Sequence, residues 1–217
     1  MSLLCSLKPE NILNNSDGYI KITDFGLSKN NICDNHSTNS LCGTPEYLSP
    51  ETVEQKGHGQ AVDWWSFGCI IYEMLVGAPP FYSESVEQLF SQIKEAKVKY
   101  KNFMSEEVVD LLQKLFVKEP DERLGSGPDG VENIKAHPFF SGVDWNAILN
   151  KKIKPPFMPR EGCEVNLRYF DKNFTMQQTE DSVNNEESVG DSSASFVGFS
   201  YDSNKTNGEV EAKQLKN

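Results

Sequence analysis

The stretch from Leu7-Lys8-Pro9-Glu10-Asn11-Ile12-Leu13 to Asp24-Phe25-Gly26 decides how the rest of the chain is read. Between its ends lie the turn residues Asn14 to Gly18 and the alternation Tyr19-Ile20-Lys21-Ile22. Alternation with period two marks a half-buried strand, and Asp-Gly between two apolar runs is a strong hairpin signal. The segment is expected to form a short hairpin with Asp17-Gly18 at its turn, delivering Asp24 to its tip. Directly before it stand Leu4-Cys5-Ser6.

Outward from the hairpin, residues 28–44 are polar and rich in hydroxyls, which predicts a long irregular loop. Val62 to Val76 is apolar on nearly every face, which marks a buried central helix. Ser85 is placed to cap a helix carrying Val86, Leu89, Phe90 and Ile93 on one face, and Ser105 another carrying Val108, Val109, Leu112, Leu115 and Phe116. Beyond Phe140 the regularity fades into Trp145 and Pro155-Pro156-Phe157-Met158-Pro159, an extended segment expected to lie on a surface. From Thr179 to Ser195 the chain is rich in Ser, Asn, Asp and Glu, and disorder is expected until Phe196-Val197-Gly198-Phe199-Ser200-Tyr201 interrupts it.

Composition narrows the function classes. At 217 residues and 37% hydrophobic, the chain is long enough for one core plus a tail. No apolar run approaches the ~20 residues of a membrane span, and Met1 to Ser6 has neither the length nor the flank of a signal peptide. A cytoplasmic or nuclear location is expected. The five cysteines, at 5, 33, 42, 69 and 163, form no C-x-x-C pair and leave one over. That pattern argues for reduced thiols over disulfides or zinc. A net charge of −11, with arginine only at 123, 160 and 168, argues against nucleic acid and for basic partners. His36, His58 and His137 have no ligand spacing among them.

Several motifs follow the opening stretch in a fixed order: Cys42-Gly43-Thr44-Pro45-Glu46-Tyr47, Ser49-Pro50-Glu51, Asp63-Trp64-Trp65-Ser66-Phe67-Gly68 and Glu122-Arg123-Leu124-Gly125. Together with Lys8-Pro9-Glu10-Asn11 and Asp24-Phe25-Gly26, the set resembles the C-lobe of a serine/threonine protein kinase. Phe170-Asp171-Lys172-Asn173-Phe174-Thr175, Asp181-Ser182 and the aromatic run at 196–201 resemble the tail of the AGC group. Gly127-Pro128-Asp129-Gly130 and Val143-Asp144-Trp145-Asn146 look most like the N-terminal kinase domain of RSK-type ribosomal S6 kinases. The resemblance implies a mainly α fold with a small β-hairpin element. It is a kinase-like C-lobe without the β-rich N-lobe, plus an extended C-terminal tail. The implied divisions are a non-matching leader at 1–6, the C-lobe at 7–158, the tail with turn and hydrophobic motifs at 159–201, and a disordered end at 202–217.

The family pattern assigns roles by position. Asn11 and Asp24 would ligate magnesium, and Lys8 would reach the transferring phosphate of ATP. Glu10 and Glu73 match acidic positions that select arginine in basic protein substrates, with Leu41 and Thr44 beside them. Glu51, Asp63 and Arg123 would be structural. Ser40, Ser182 and Ser200 match phosphorylation sites, and Phe196 and Phe199 match a docking motif. The pattern departs at two positions: Ser6 stands where the catalytic aspartate belongs, and Cys5 where an arginine would meet phosphorylated Ser40, leaving Lys29 as the nearest matched cation. A serine holds no negative charge at neutral pH. Neither a V-A-I-K lysine nor its helix glutamate occurs in the chain, so ATP binding is expected to be weak and the chain inactive.

Gly125-Ser126-Gly127-Pro128-Asp129-Gly130 fits a G-x-G-x-x-G pattern, but no strand precedes it and a proline interrupts it, so it reads as a surface turn. Pro156 to Pro159 matches an SH3-ligand spacing and reads as tail packing. A second function class is a non-catalytic module that docks on other kinases through its hydrophobic motif, the phosphoinositide-dependent kinase being the partner the resemblance implies. Phe196 and Phe199, three apart in an acidic segment, can be buried only in another surface, each worth ~1.5–3 kcal/mol before ordering costs. A peptide spanning Ser195 to Asp202 is expected to bind the N-lobe pocket of an AGC kinase, more tightly with Ser200 phosphorylated. In a titration, equal binding by the Phe199→Ala peptide would refute that docking role.

Overall fold

The computed structural model describes residues 2–4, 6–30, 35, 38, 40–159 and 169–177. The chain divides into two units, Met1–Cys163 and Glu164–Asn217. In the first, β1 (Ser2–Leu3) is followed by β2 (Ile12–Asn14) and β3 (Ile20–Ile22), which pair antiparallel with Ile12 opposite Ile22 and Asn14 opposite Ile20. The anticipated hairpin is there, its turn closed by the Asn15 N–H on the Tyr19 carbonyl and the Gly18 N–H on the Asn15 carbonyl, both at 2.9 Å. Asp24 is not at that tip. It follows β3 at the open end of the hairpin, two residues past Ile22, because the turn lies at the opposite end.

Residues 2–4 are built into the fold. β1 pairs with β4 (Lys29–Asn30), Leu3 is wholly buried against Val62, and the Leu4 N–H donates to Asp63 Oδ2 at 2.8 Å. The stretch anticipated as an irregular loop therefore opens with a strand, and further along Thr38 exchanges backbone hydrogen bonds with His58.

The helices of this unit are α1 (Pro50–Glu54), α2 (Ala61–Val76), α3 (Val86–Glu95), α4 (Glu106–Leu115), α5 (Gly130–Lys135) and α6 (Trp145–Leu149). α2 is the centre of the core. Trp65, Cys69, Ile70 and Tyr72 pack with Leu89 and Ile93 of α3, with Val108, Leu111, Leu112 and Leu115 of α4, and with Phe81 and Phe116. The helix is not buried all round: Met74 and Leu75 in its last turn are exposed, and Trp64 and Phe67 are half-buried. Trp64, Phe67 and Met74, with Ile20, Ile22 and Ile71, line an apolar groove of about 720 Å³ between the hairpin and α2. Among the described residues no helix is long and apolar enough to cross a membrane.

Helix ends correct three readings. Ser105 caps α4, its Oγ accepting from the Val108 N–H at 3.4 Å, but Ser85 makes no such bond. Ser83 Oγ instead accepts from the Ser85 N–H at 3.2 Å, while Val86 is exposed rather than on the apolar face. α6 lies where the regularity was expected to fade, capped by Asp144 Oδ1 on the Ala147 N–H at 2.9 Å. Of the second unit, the structure describes one short helix, α7 (Lys172–Thr175), capped by Asp171. Ser182, Phe196, Phe199 and Ser200 lie outside the described residues, as do Cys5, Cys33 and Cys163. Cys42 and Cys69 are free thiols, and burial pushes that of Cys69 up.

The hairpin turn is held by the segment after α6. Lys151 Nζ donates to Asp17 Oδ2, and the Tyr19 hydroxyl donates to the Ile153 carbonyl. Gly18 sits at φ +78° so close beneath this segment that a Cβ would lie 2.7 Å from the Phe157 carbonyl oxygen. The Lys151 hydrogen bond, followed by the Tyr19 N–H, lowers the Asp17 carboxyl from 3.8 to about 2. A depressed folded value means that this group's contribution is present above pH 3.8 and is lost as pH falls through about 2. Lys151→Met should return the Asp17 midpoint toward 3.8 in a carboxyl-carbon NMR titration, and an unmoved midpoint would show that the contact does not form.

Candidate active site

The residues singled out around the opening stretch meet at the open end of the hairpin. A single 3₁₀ turn, Pro9–Asn11, carries the chain from Lys8 into β2 and buries Asn11. The Asn11 carbonyl accepts from the Thr23 N–H at 2.8 Å and from Thr23 Oγ1 at 3.2 Å. Residue 24 is thereby held beside residue 11, although thirteen positions separate them. Asn11 Nδ2 donates to both the carbonyl and the hydroxyl of Ser6, each at 2.8 Å. That fixes the amide and leaves its oxygen as the group available to a cation.

Asp24 is exposed and has φ +60°, the left-handed region that a non-glycine residue rarely occupies and that recurs at functional sites. Its Oδ1 accepts from the Gly26 N–H at 3.3 Å, and a Cβ on residue 26 would meet the same oxygen at 3.2 Å. Glycine there keeps the carboxylate clear. An amide oxygen and a carboxylate are hard-oxygen groups of the kind magnesium takes alongside phosphate oxygens. Among the described residues no group of three or more His, Cys, Asp or Glu side chains forms a closed metal cage.

Lys8 Nζ donates to Thr44 Oγ1 at 2.9 Å, tying the loop to the Gly43-Thr44-Pro45 segment. Tyr47, which sequence reasoning passed over, organises the acidic positions: its hydroxyl donates to Glu73 Oε2 at 2.5 Å. Burial, then Glu73, then the nearby charge of Glu10 raise the Tyr47 phenol, so it stays protonated and both carboxylates belong to one neighbourhood. Leu41 is exposed and Thr44 half-buried on the adjoining segment. Ser40 Oγ accepts from Lys29 Nζ, which also donates to Thr38 Oγ1. His58 is buried close by, and burial, then the charge of Lys29, lower its imidazole below the usual histidine value.

Beneath the site lies a buried ion pair. Arg123 Nη1 and Nη2 meet Glu51 Oε1 and Oε2 at 2.6 and 2.9 Å, with the two residues 1% and 4% exposed. The guanidinium also donates to the Ala61, Val117 and Lys118 carbonyls and lies 5.2 Å from the Trp65 ring centre. Asp63, at the start of α2, receives the Leu4 N–H as described above.

A loop that sets a lysine, an amide and a carboxylate at one edge, on a helical body braced by a buried Arg–Glu pair, is the arrangement of a phosphoryl-transfer lobe. The protein kinase domain family matches residues 4–140, and the chain belongs to that family. It is 44% identical over 208 residues to ribosomal protein S6 kinase alpha-3 of Mus musculus and of Homo sapiens, covering 96% of this chain and 28% of each relative. Ribosomal protein S6 kinase 2 alpha of Gallus gallus is 46% identical over 195 residues, 90% of this chain and 26% of that protein. Ribosomal protein S6 kinase alpha-2 of Homo sapiens is 48% identical over 176 residues, 81% and 24% respectively. The chain thus spans about a quarter of the length of these relatives. Protein kinases use ATP and magnesium.

Removing one partner of a buried ion pair leaves the other charge uncompensated, at a cost of ~3–5 kcal/mol. Arg123→Ala is expected to lower stability by about that amount in urea denaturation, and a loss below ~1 kcal/mol, the range of an exposed pair, would show that the pair is not buried.

Proposed function

We propose that this chain is the helical catalytic-loop portion of a ribosomal S6 kinase-like serine/threonine kinase, and that it transfers no phosphate itself. The family chemistry is transfer of the ATP γ-phosphoryl group to a serine or threonine hydroxyl, in substrates whose arginines face Glu10 and Glu73. Asn11 and Asp24 would hold the magnesium, and Lys8 would lie against the phosphates. The bound metal nucleotide supplies the transferable group and neutralises its charge. Leu41 and Thr44 would border the substrate, and phosphate on Ser40 would be met by Lys29.

The observation carrying the inactive reading is the Ser6–Asn11 hydrogen bond of 2.8 Å. It puts a neutral hydroxyl where the reaction needs a carboxylate to accept and orient the substrate proton, a contribution of ~10²–10⁴-fold. The same observation favours the second reading, a protein that engages kinase partners or substrates without catalysing. With magnesium, ATP and an arginine-rich serine peptide, the purified chain should show no transfer above background. Turnover that survives repurification and disappears in Asp24→Ala would overturn the inactive reading.

A further inference from the structure

The end of α6 carries an unusual backbone choice. The helix closes in a Schellman motif: the Lys151 N–H donates to the Ile148 carbonyl at 2.9 Å, and the Lys152 N–H to the Ala147 carbonyl at 2.8 Å. The residue after the C-cap Asn150 must then be left-handed, and Lys151 has φ +55°. Glycine is the usual occupant, because it takes this conformation without a Cβ penalty. A lysine there strains the backbone for the sake of its side chain, and strain of this kind gathers at functional positions.

That side chain reaches the hairpin turn. Lys151 Nζ donates to Asp17 Oδ2 and lies 5.4 Å from the Tyr19 ring centre, while the Tyr19 hydroxyl donates to the Ile153 carbonyl. Gly18 lies between, where a Cβ would come 2.8 Å from both Met158 Sδ and Pro155 Cβ. Residues 151–158 thus form a strap across the turn, fastened by an ion pair, a hydrogen bond and a close backbone approach.

The hairpin needs such a fastening, since two strands alone are marginal. β2 packs on the core at Ile12, β3 is exposed throughout, and Ile20 and Ile22 line the open groove on α2. Face packing therefore fixes one corner of the hairpin and leaves its tilt to its two ends. The turn lies under the strap, and the open end is the candidate site. One ladder joins them, from the Asn15 N–H on the Tyr19 carbonyl at 2.9 Å to the Thr23 N–H on the Asn11 carbonyl at 2.8 Å. Asn11 and Asp24 stand at the ends of its opposite strands.

We propose that the strap is a latch that holds Asn11 and Asp24 in position for a divalent cation, with Lys151 as its positioning residue. This role rests on the proposed reading of Asn11 and Asp24 as magnesium ligands, and Lys151 acts through the hairpin. Without the latch the hairpin tilts over the groove, the Thr23–Asn11 pairing opens more often, and the amide oxygen and the carboxylate converge for less of the time.

The test uses the full chain, ¹⁵N-labelled, with Lys151→Gly as the discriminating variant. Glycine suits φ +55° better than lysine, so the close of α6 is kept while the latch side chain is removed. The Thr23 amide should exchange with deuterium about three-fold faster in Lys151→Gly, the worth of an exposed charged contact. The amide of Leu112, wholly buried in α4, should exchange as in wild type. With manganese alone as the probe, paramagnetic broadening of the Gly26 and Asn11 signals should need about three-fold more metal to reach its midpoint. Lys151→Arg, which keeps the charge, should restore both readouts. Equal acceleration at Thr23 and Leu112 would mean a general loss of stability and would overturn the latch, as would Thr23 exchange and a manganese midpoint unchanged in Lys151→Gly. Asp24→Asn separates the two readings. If it broadens like wild type, the metal-ligand reading fails and the latch falls with it; if it abolishes broadening while Lys151→Gly keeps the wild-type midpoint, the latch alone fails.

Discussion

Five hydrogen bonds from one guanidinium govern the placement of this site. Arg123 spends two N–H groups on Glu51, two on the carbonyls that end the α4 region at Val117 and Lys118, and one on the Ala61 carbonyl at the start of α2. Three segments, at residues 51, 61 and 117–118, therefore converge on one planar cation, and no donor is left to water. From Glu51 the constraint runs into the site: Ser66 of α2 donates to the Tyr47 carbonyl at 2.9 Å, the Tyr47 hydroxyl holds Glu73, and Thr44 of the same segment receives Lys8. A hydrophobic replacement of similar volume can match such a pair in stability but not in direction. What the pair gives this fold is location, since a flat bidentate fork tolerates little rotation.

The loop shows how position and charge can be separated. A carboxylate at residue 6 would accept from Asn11, hold a negative charge, and take up the substrate proton. Serine performs the first of these, with Asn11 Nδ2 at 2.8 Å from its hydroxyl and at 2.8 Å from its carbonyl. Asn11 is held in place, Lys8 is tied to Thr44, and Asp24 has its left-handed backbone. On the proposed reading, the loop holds its geometry while the residue that would accept the proton is a neutral serine. Shape and competence are distinct properties of such a loop, and side-chain distances alone report only the first.

Where the sequence could be read, a periodic signal extended over several residues. The hairpin was visible because Asp17-Gly18 stands between apolar runs, α2 because it is a long apolar run, and α4 because its apolar positions recur over more than two turns. α6 has five residues, under two turns, so periodicity was silent and only the Asp144 cap announced it. β1 and β4 are two residues each and pair across 25 intervening positions, which no local pattern can encode. Ser85 and Ser83 carry the same hydroxyl two positions apart, and the backbone entering α3 decides which accepts. The contact between Glu51 and Arg123 was legible only through the order of motifs, because a charge's partner 72 positions away leaves no periodic trace. Tyr47 was missed because an aromatic next to Glu46 reads as packing, while its function lies in where its hydroxyl points.

The hairpin face and the Trp65 core differ in how far their apolar surface is covered. Ile20 and Ile22 alternate with Lys21, the pattern of a strand with one interior face, yet they are 63% and 41% exposed above the groove on α2. Pattern and burial disagree there, and an apolar patch of that breadth is a surface the sequence writes as interior. It asks for area and sets no direction. At Trp65 the apolar surface is already buried and packed against Phe81 and Phe116. The same alternation that buries a strand face elsewhere leaves this one open, so the hairpin's pattern encodes an interior surface that the described residues do not cover.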